Sequence, residues 1–69
     1  TYNDQRELKQ LPTKIEQLEA ELVQLNEHTA EADFYNQDHA TIDKHFKKVA
    51  SLEAEIENAY ERWEQLSNH

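Results

Sequence analysis

A chain of 69 residues, 36% hydrophobic and 32% charged, holds apolar side chains enough for one seam between long helices. It does not hold enough for several buried layers around an enclosed pocket. It has no glycine and no cysteine, which excludes a Walker A phosphate loop, a dinucleotide fingerprint, a disulfide framework and a thiolate metal site within it, while its net charge of −8 leaves room only for a local basic patch as a nucleic-acid contact.

No apolar stretch approaches the roughly 20 residues that cross a bilayer, and the opening TYNDQRELKQ lacks the charged-then-apolar layout of a signal peptide. With no cysteine, the expectation is a soluble, cytoplasmic protein without membrane contact. The start at Thr1 rather than Met reads as a domain excised from a longer polypeptide.

In chain order, the first element is a helix over about 4–28. Leu8, Leu11, Ile15, Leu18, Leu22 and Leu25 alternate at spacings of three and four, the a and d positions of a coiled-coil seam. The flanking Glu, Gln, Lys and Ala are good helix formers. Pro12 interrupts the pattern and predicts a kink or a fresh helix start between Gln10 and Thr13. The segment 29–38 gathers Asn, Asp and Thr around Phe34 and Tyr35 and reads as an irregular turn, with Asp38 the N-cap of the next helix. A second helix over about 39–67 carries Ile42, Val49, Ile56 and Trp63 at heptad spacing, interleaved with His45, Leu52, Ala59 and Leu66. The predicted fold is all-α: one domain over 1–69, an antiparallel two-helix hairpin closed as an intramolecular coiled coil.

Charge selects the register. When residues whose numbers add to 67 face each other, Leu18 meets Val49, Ile15 meets Leu52 and Leu11 meets Ile56. The flanks then oppose Glu7 to Arg62, Lys14 to Glu55 and Glu21 to Lys48. A heptad slip instead opposes Lys14 to Arg62 and Glu21 to Glu55. Each exposed pair is worth only ~0.2–1 kcal/mol, so these pairs discriminate between registers without supplying much stability.

Fifteen acidic residues form many carboxylate pairs, but a hairpin offers no desolvated cleft in which two of them could divide acid and base roles, so no catalytic residue is expected. His28, His39, His45 and His69 have neither an i,i+4 pair nor zinc-motif spacing, and no metal site is expected. Lys44, Lys47 and Lys48, with His45 beside them, form the dense basic stretch, near the turn aromatics Phe34 and Tyr35. Basic groups with nearby aromatics suit a nucleic-acid contact. They equally suit a solubilised face above aromatics that close the hairpin. Trp63, Tyr60 and Tyr2 read first as core at the open end.

The stretches YNDQRELKQLPTKIEQLEAEL, ADFYNQD and LEAEIENAYERWEQL, with Tyr2, Gln5-Arg6-Glu7-Leu8, Leu11-Pro12, Phe34-Tyr35 and Glu61-Arg62-Trp63-Glu64 the most specific parts, resemble the C-terminal domain of Uup-like ABC-F ATPases over essentially the whole chain. Asn3 stands where relatives often carry Lys. The resemblance implies a hairpin with an irregular turn, DNA binding by this tail, and a soluble parent whose ATP and magnesium are held in cassettes outside this chain. No cofactor is expected in the domain itself.

The leading expectation is therefore a non-catalytic, monomeric accessory domain that contacts DNA or ribosomal RNA through backbone phosphates, using Lys44, Lys47, Lys48, Arg6, Lys9 and Lys14. The alternative is a structural module docking on the parent's ATP-binding cassettes, the ribosome or a partner protein through its apolar end. A third is a self-associating coiled coil. Basic residues spread along one side favour the first, and an exposed patch around Trp63, Tyr60 and Tyr2 favours the second.

Overall fold

The computed structural model describes residues 1–68, and His69 lies outside the described residues. Two α-helices, α1 (Tyr2–His28) and α2 (His39–Ser67), run antiparallel and are joined by a turn containing one 3-10 helical turn, Phe34–Asn36. The result is a rod 50 × 16 × 15 Å. A helix of α1's 27 residues is about 40 Å long at the usual rise, so the rod is two helices thick and longer than α1 by about a heptad of helix.

Burial follows the heptads. Leu11, Ile15, Leu52, Ala59 and Leu66 are buried, and Leu8 packs against the cluster of Leu11, Ile15, Ala59 and Leu66. Leu18, Leu22, Leu25, Ile42, Val49 and Ile56 are half-buried, as expected where two helices cover one side of each seam residue. Burying a Leu or Ile side chain contributes about 1.5–3 kcal/mol, so this seam is the main source of stability in a chain with no disulfide. Two ion pairs cross the helices as the charge pattern expects, Arg62 to Glu7 at 2.7 Å and Lys48 to Glu21 at 3.7 Å, but the seam does not take the expected register. Ile15 clusters with Ala59 and Leu66 and lines a groove with Tyr60 and Trp63, Leu8 meets Leu66, and the Tyr60 hydroxyl reaches Glu19. Opposing Ile15 to Leu52 and Leu18 to Val49 would hold these partners about 10–18 Å apart along the rod, so the helices are shifted by about a heptad and the long flanking side chains pair diagonally. The third flanking pair does not close. Lys14 and Glu55 line one groove without forming a salt bridge.

Pro12 neither breaks α1 nor begins it again, contrary to the sequence expectation: one continuous helix runs from Tyr2 to His28 with Pro12 inside. The proline lies on the exposed side of the helix, where its ring meets solvent and the helix continues on the strength of the seam residues Leu8, Leu11 and Ile15 around it. The Leu8 carbonyl still loses its usual i+4 donor.

The turn reverses the chain without a left-handed residue, and no described residue has positive φ. Thr29 caps α1 in right-handed geometry, its hydroxyl donating to the Asn26 carbonyl at 2.7 Å. The last carbonyls of α1 accept instead from the amides of Ala30 and Glu31, at 3.1 and 3.2 Å. These i+3 bonds tighten the helix end in place of a glycine cap. Asp38 is the N-cap of α2 in extended geometry, as read from the sequence, but its carboxylate accepts from the Thr41 hydroxyl and not from a backbone amide.

Phe34 is 4% exposed and closes the turn end of the seam. Its ring meets Tyr35, His45 and Phe46 edge-on, with centroids 4.9, 4.7 and 5.8 Å away, the preferred geometry for aromatic quadrupoles. Tyr35 does not share this role: it is 65% exposed. His45 occupies a seam position among these rings with its Nε2 buried and without a hydrogen-bond partner.

Candidate nucleic-acid interface

The register divides the charged positions between two long faces. On one, the g positions of both helices and their c neighbours bring together the cations Lys14, Lys44, Lys48 and Arg62 and the carboxylates Glu7, Glu21 and Glu55. The remaining c positions on this face are uncharged, including Gln10, Gln17 and Gln24 on α1 and Asn58 and Gln65 on α2. The groove lined by Glu7, Leu11, Lys14, Glu55, Asn58, Ala59 and Arg62 lies here. The opposite face, at the e and b positions, carries Glu16, Glu19, Asp43, Glu53, Glu57 and Glu64 against the single cation Lys9. The chain's acidity is thus concentrated on one side, and the other is near neutral, so the net charge of −8 does not describe what a phosphate backbone meets on the mixed face.

The six residues singled out from the sequence do not form one patch. Lys44, Lys47 and Lys48 are exposed and share the side of α2 turned toward the mixed face, near the turn. Lys47 pairs with Asp43 at 3.2 Å and Lys48 with Glu21 at 3.7 Å, while among the described residues Lys44 forms no salt bridge. Arg6 and Lys9 sit on the outer side of α1 at the open end, lining a shallow groove with Tyr2 and Gln5. Lys44 stands in the second turn of α2 beside the hairpin's turn, at the opposite end of the rod from Arg6. Lys14 lies between, on the mixed face.

At the open end, Arg62 donates to both carboxylate oxygens of Glu7, at 2.7 and 3.1 Å, and lies 3.5 Å from Asp4. The hydrogen bond from Arg62 holds the Glu7 carboxyl below the usual glutamate range, and the same bond raises the Arg62 guanidinium. Arg62 is therefore a structural clamp, with less freedom to meet a phosphate than Lys44. On the acidic face the Tyr60 hydroxyl donates to Glu19 at 3.0 Å, which pushes the phenol upward.

The aromatics expected as core at the open end are not buried: Tyr2 is 76%, Tyr60 42% and Trp63 39% exposed. Trp63 does not enter the seam although it holds a seam position; Asp4 lies instead with Leu8 and Leu66. The indole instead lies against Tyr60, centroids 6.4 Å apart, beside Pro12 and Ile15. Tyr2 does not join them; it stands with Arg6 and Lys9.

The amides at the c positions were not among the sequence candidates. They recur every seven residues in α1, at Asn3, Gln10, Gln17 and Gln24, a signal available once the heptads are assigned. Side-chain amides can donate to phosphate and sugar oxygens between cations. Among the described residues, no group of three or more His, Asp or Glu is placed to hold a metal ion, and no helix is long and apolar enough to cross a membrane. ATP and magnesium, which the ABC-F resemblance implies, do not fit here: a chain without glycine has no phosphate-cradling loop.

Residues 1–68 match the family model of the ABC transporter C-terminal domain. The chain belongs to this family. It is 46% identical over 66 residues to the ATP-binding protein Uup of Escherichia coli, covering 96% of this chain and 10% of that protein. It is 42% identical over 66 residues to an ATP-binding protein described as Uup-like from Haemophilus influenzae, covering 96% of this chain and 14% of that protein. The chain therefore spans a small fraction of these relatives, which bear the name of ATP-binding proteins. A solved structure, described as the C-terminal domain of the Uup protein and a DNA-binding coiled coil motif, superposes with a TM-score of 0.87 at 44% identity, over 99% of this chain and 80% of that one. The family resemblance read from the sequence and the all-α hairpin fold are both established by these matches.

Proposed function

We propose that this chain is a DNA-binding accessory domain that holds the phosphate backbone of a duplex without reading its bases, as part of an ABC-F ATPase whose nucleotide chemistry lies in cassettes outside the chain. The observation that carries this reading is the 44% identity over nearly the full chain to a domain described as a DNA-binding coiled coil. The mixed face gives it a physical basis. Lys44, Lys47 and Lys48 make the primary contact, the c-position amides hydrogen-bond along the backbone, and Lys14 extends the contact toward the open end. Arg6, on the outer side of α1, acts as a second contact at the open end, with Lys9 beside it at the edge where the outer side meets the acidic face. The domain itself is non-catalytic and needs no cofactor, and it works in the cytoplasm, where ribosomal RNA is a further backbone of the same chemistry.

Titration of the chain with DNA duplexes of unrelated sequence, and with an RNA duplex, at two salt concentrations tests the reading. Equal affinities across DNA sequences that fall together with salt are expected. Sequence-dependent affinity, or no binding at low salt, contradicts it. A second reading, docking on another protein, is favoured by the exposed Tyr60 and Trp63 on the opposite face.

A further inference from the structure

We infer that the acidic face of the hairpin is a docking site for a Lys/Arg-rich protein segment that carries an apolar anchor, seated in the groove between α1 and α2 beside Trp63. This rests on the protein-docking reading and not on nucleic-acid binding, since it uses the other face. The groove encloses about 370 Å³, with Pro12 and Ile15 as its floor, Tyr60 and Trp63 as its aromatic wall and Glu16 and Glu19 at its rim. Two large aromatics, 42% and 39% exposed and stacked obliquely on each other, form a contiguous apolar patch that the hairpin's own seam leaves uncovered. Isolated exposed apolar residues such as Val23 need no partner, but an indole and a phenol side by side over a buried isoleucine match the aromatic anchors that dominate protein interfaces.

Charge decides the occupant. The carboxylates of this face outnumber its one cation, Lys9, so a phosphate backbone or an anionic membrane surface is repelled from it. A second copy docking face to face would oppose the same carboxylates to each other. A segment bearing Arg or Lys finds Glu16 and Glu19 as partners and the Trp63 ring as a surface for its cation. An apolar side chain from the same segment fills the space above Pro12 and Ile15. The hairpin would then be two-sided, with phosphate bound on the mixed face and a basic protein segment on the acidic one.

Trp63 is the sole tryptophan, so its fluorescence reports directly on the groove. The probe is a short synthetic helical peptide with Arg and Leu at i,i+4 spacing, compared with an isomer in which Glu replaces Arg. The expected result is a saturable change in Trp63 emission with the Arg–Leu peptide alone. Glu16→Gln with Glu19→Gln should weaken binding by about tenfold or more, as loss of interfacial charge pairs does. Glu27→Gln with Glu61→Gln, which removes the same charge from the outer sides of the helices, should leave binding within about twofold, because rim-distant charges are screened. Circular dichroism checks that both double variants keep the helical fold. No saturable change, binding of the Glu–Leu isomer, equal weakening by the two double variants, or dimerisation of the chain in place of peptide binding would each overturn the inference.

Discussion

Arg62 and Glu7, 55 residues apart in sequence, meet through two hydrogen bonds at the open end of the hairpin, Nε to Oε2 at 2.7 Å and Nη2 to Oε1 at 3.1 Å. This fork is the tightest cross-helix polar contact in the rod, and its planar geometry suits arginine in a way a lysine cannot reproduce. Its pH dependence has a defined sign. The Glu7 carboxyl is lowered in the folded chain by the Arg62 hydrogen bond, so its contribution is present above the unfolded glutamate value and lost as pH falls through the folded one. The difference in Tm between the native chain and Glu7→Gln should be present at neutral pH and shrink toward zero on acidification below about pH 4.5, the ordinary glutamate value. Thermal melts at stepped pH check this. A difference that is constant through the acid range contradicts it.

Tyr60 carries the opposite sign. Its hydroxyl donates to Glu19, and that bond, with the neighbouring negative charge, raises the phenol above its ordinary value of 10.0. Its stabilising effect is therefore present below the unfolded value and lost as pH rises through the folded one. Ultraviolet difference titration of the native chain against Glu19→Ala should show one tyrosine shifting to lower pH in the variant. An unchanged titration curve would mean the bond does not persist in solution.

Pro12 sits inside a continuous α1 on an exposed side. Pro12→Ala should stabilise the hairpin, by up to about 3 kcal/mol from helix propensity and the restored bond to the Leu8 carbonyl. A 1 kcal/mol gain raises Tm by about 4–8 °C in a domain of this size. Thermal circular dichroism measures it, and an unchanged or lower Tm would show that the ring's place beside Trp63 offsets the helix penalty.

Ile15 and Val23 separate the seam from the surface. Ile15 is 4% exposed and Val23 55%, so Ile15→Ala should cost about 2–5 kcal/mol and Val23→Ala well under 1 kcal/mol. In a two-helix chain the first loss is most of the available stability. Urea unfolding distinguishes the two variants, and comparable midpoints would contradict the seam assignment. Sedimentation should find the native chain monomeric at micromolar concentration, because the seam closes within the chain at high effective concentration. A concentration-independent dimer would mean the seam pairs between chains.

The hairpin was legible because heptad spacing is a direct statement about which helix face is apolar: the expected a and d residues are the buried or half-buried ones, with Trp63 the exception. The register was misread: the Glu7–Arg62 and Glu21–Lys48 pairs form, but long flanking side chains reach diagonally and tolerate a heptad shift, and the apolar contacts of Ile15 with Ala59 and of Leu8 with Leu66 set the seam. Trp63 was misread because a seam position says nothing about the residue across from it. Its neighbours Pro12, Ile15 and Tyr60 follow only from the shifted register. The turn was legible as a turn but not in detail. No glycine or proline marks its geometry, and Phe34 and Tyr35, adjacent and chemically alike, separate into a buried plug and an exposed ring only once His45 and Phe46 are in place. The separation of Arg6 and Lys9 from Lys44, Lys47 and Lys48 follows from antiparallel geometry, which sends the two groups to opposite ends of the rod.

In the proposed function, phosphate binding resides at Lys44, Lys47 and Lys48. Neutralising three phosphates gives a log–log salt slope near −2.7, by the rule of ~0.9 per contact for duplex DNA. The most direct measurement is the salt dependence of duplex binding for the native chain and for the triple variant Lys44→Gln, Lys47→Gln and Lys48→Gln. The variant should stay helical, since glutamine is nearly as good a helix former and the salt bridges lost, to Asp43 and Glu21, are exposed. The variant should bind every duplex sequence more weakly and by the same factor, with a slope flatter by up to about three units. Equal affinity and equal slope in the two proteins would contradict it.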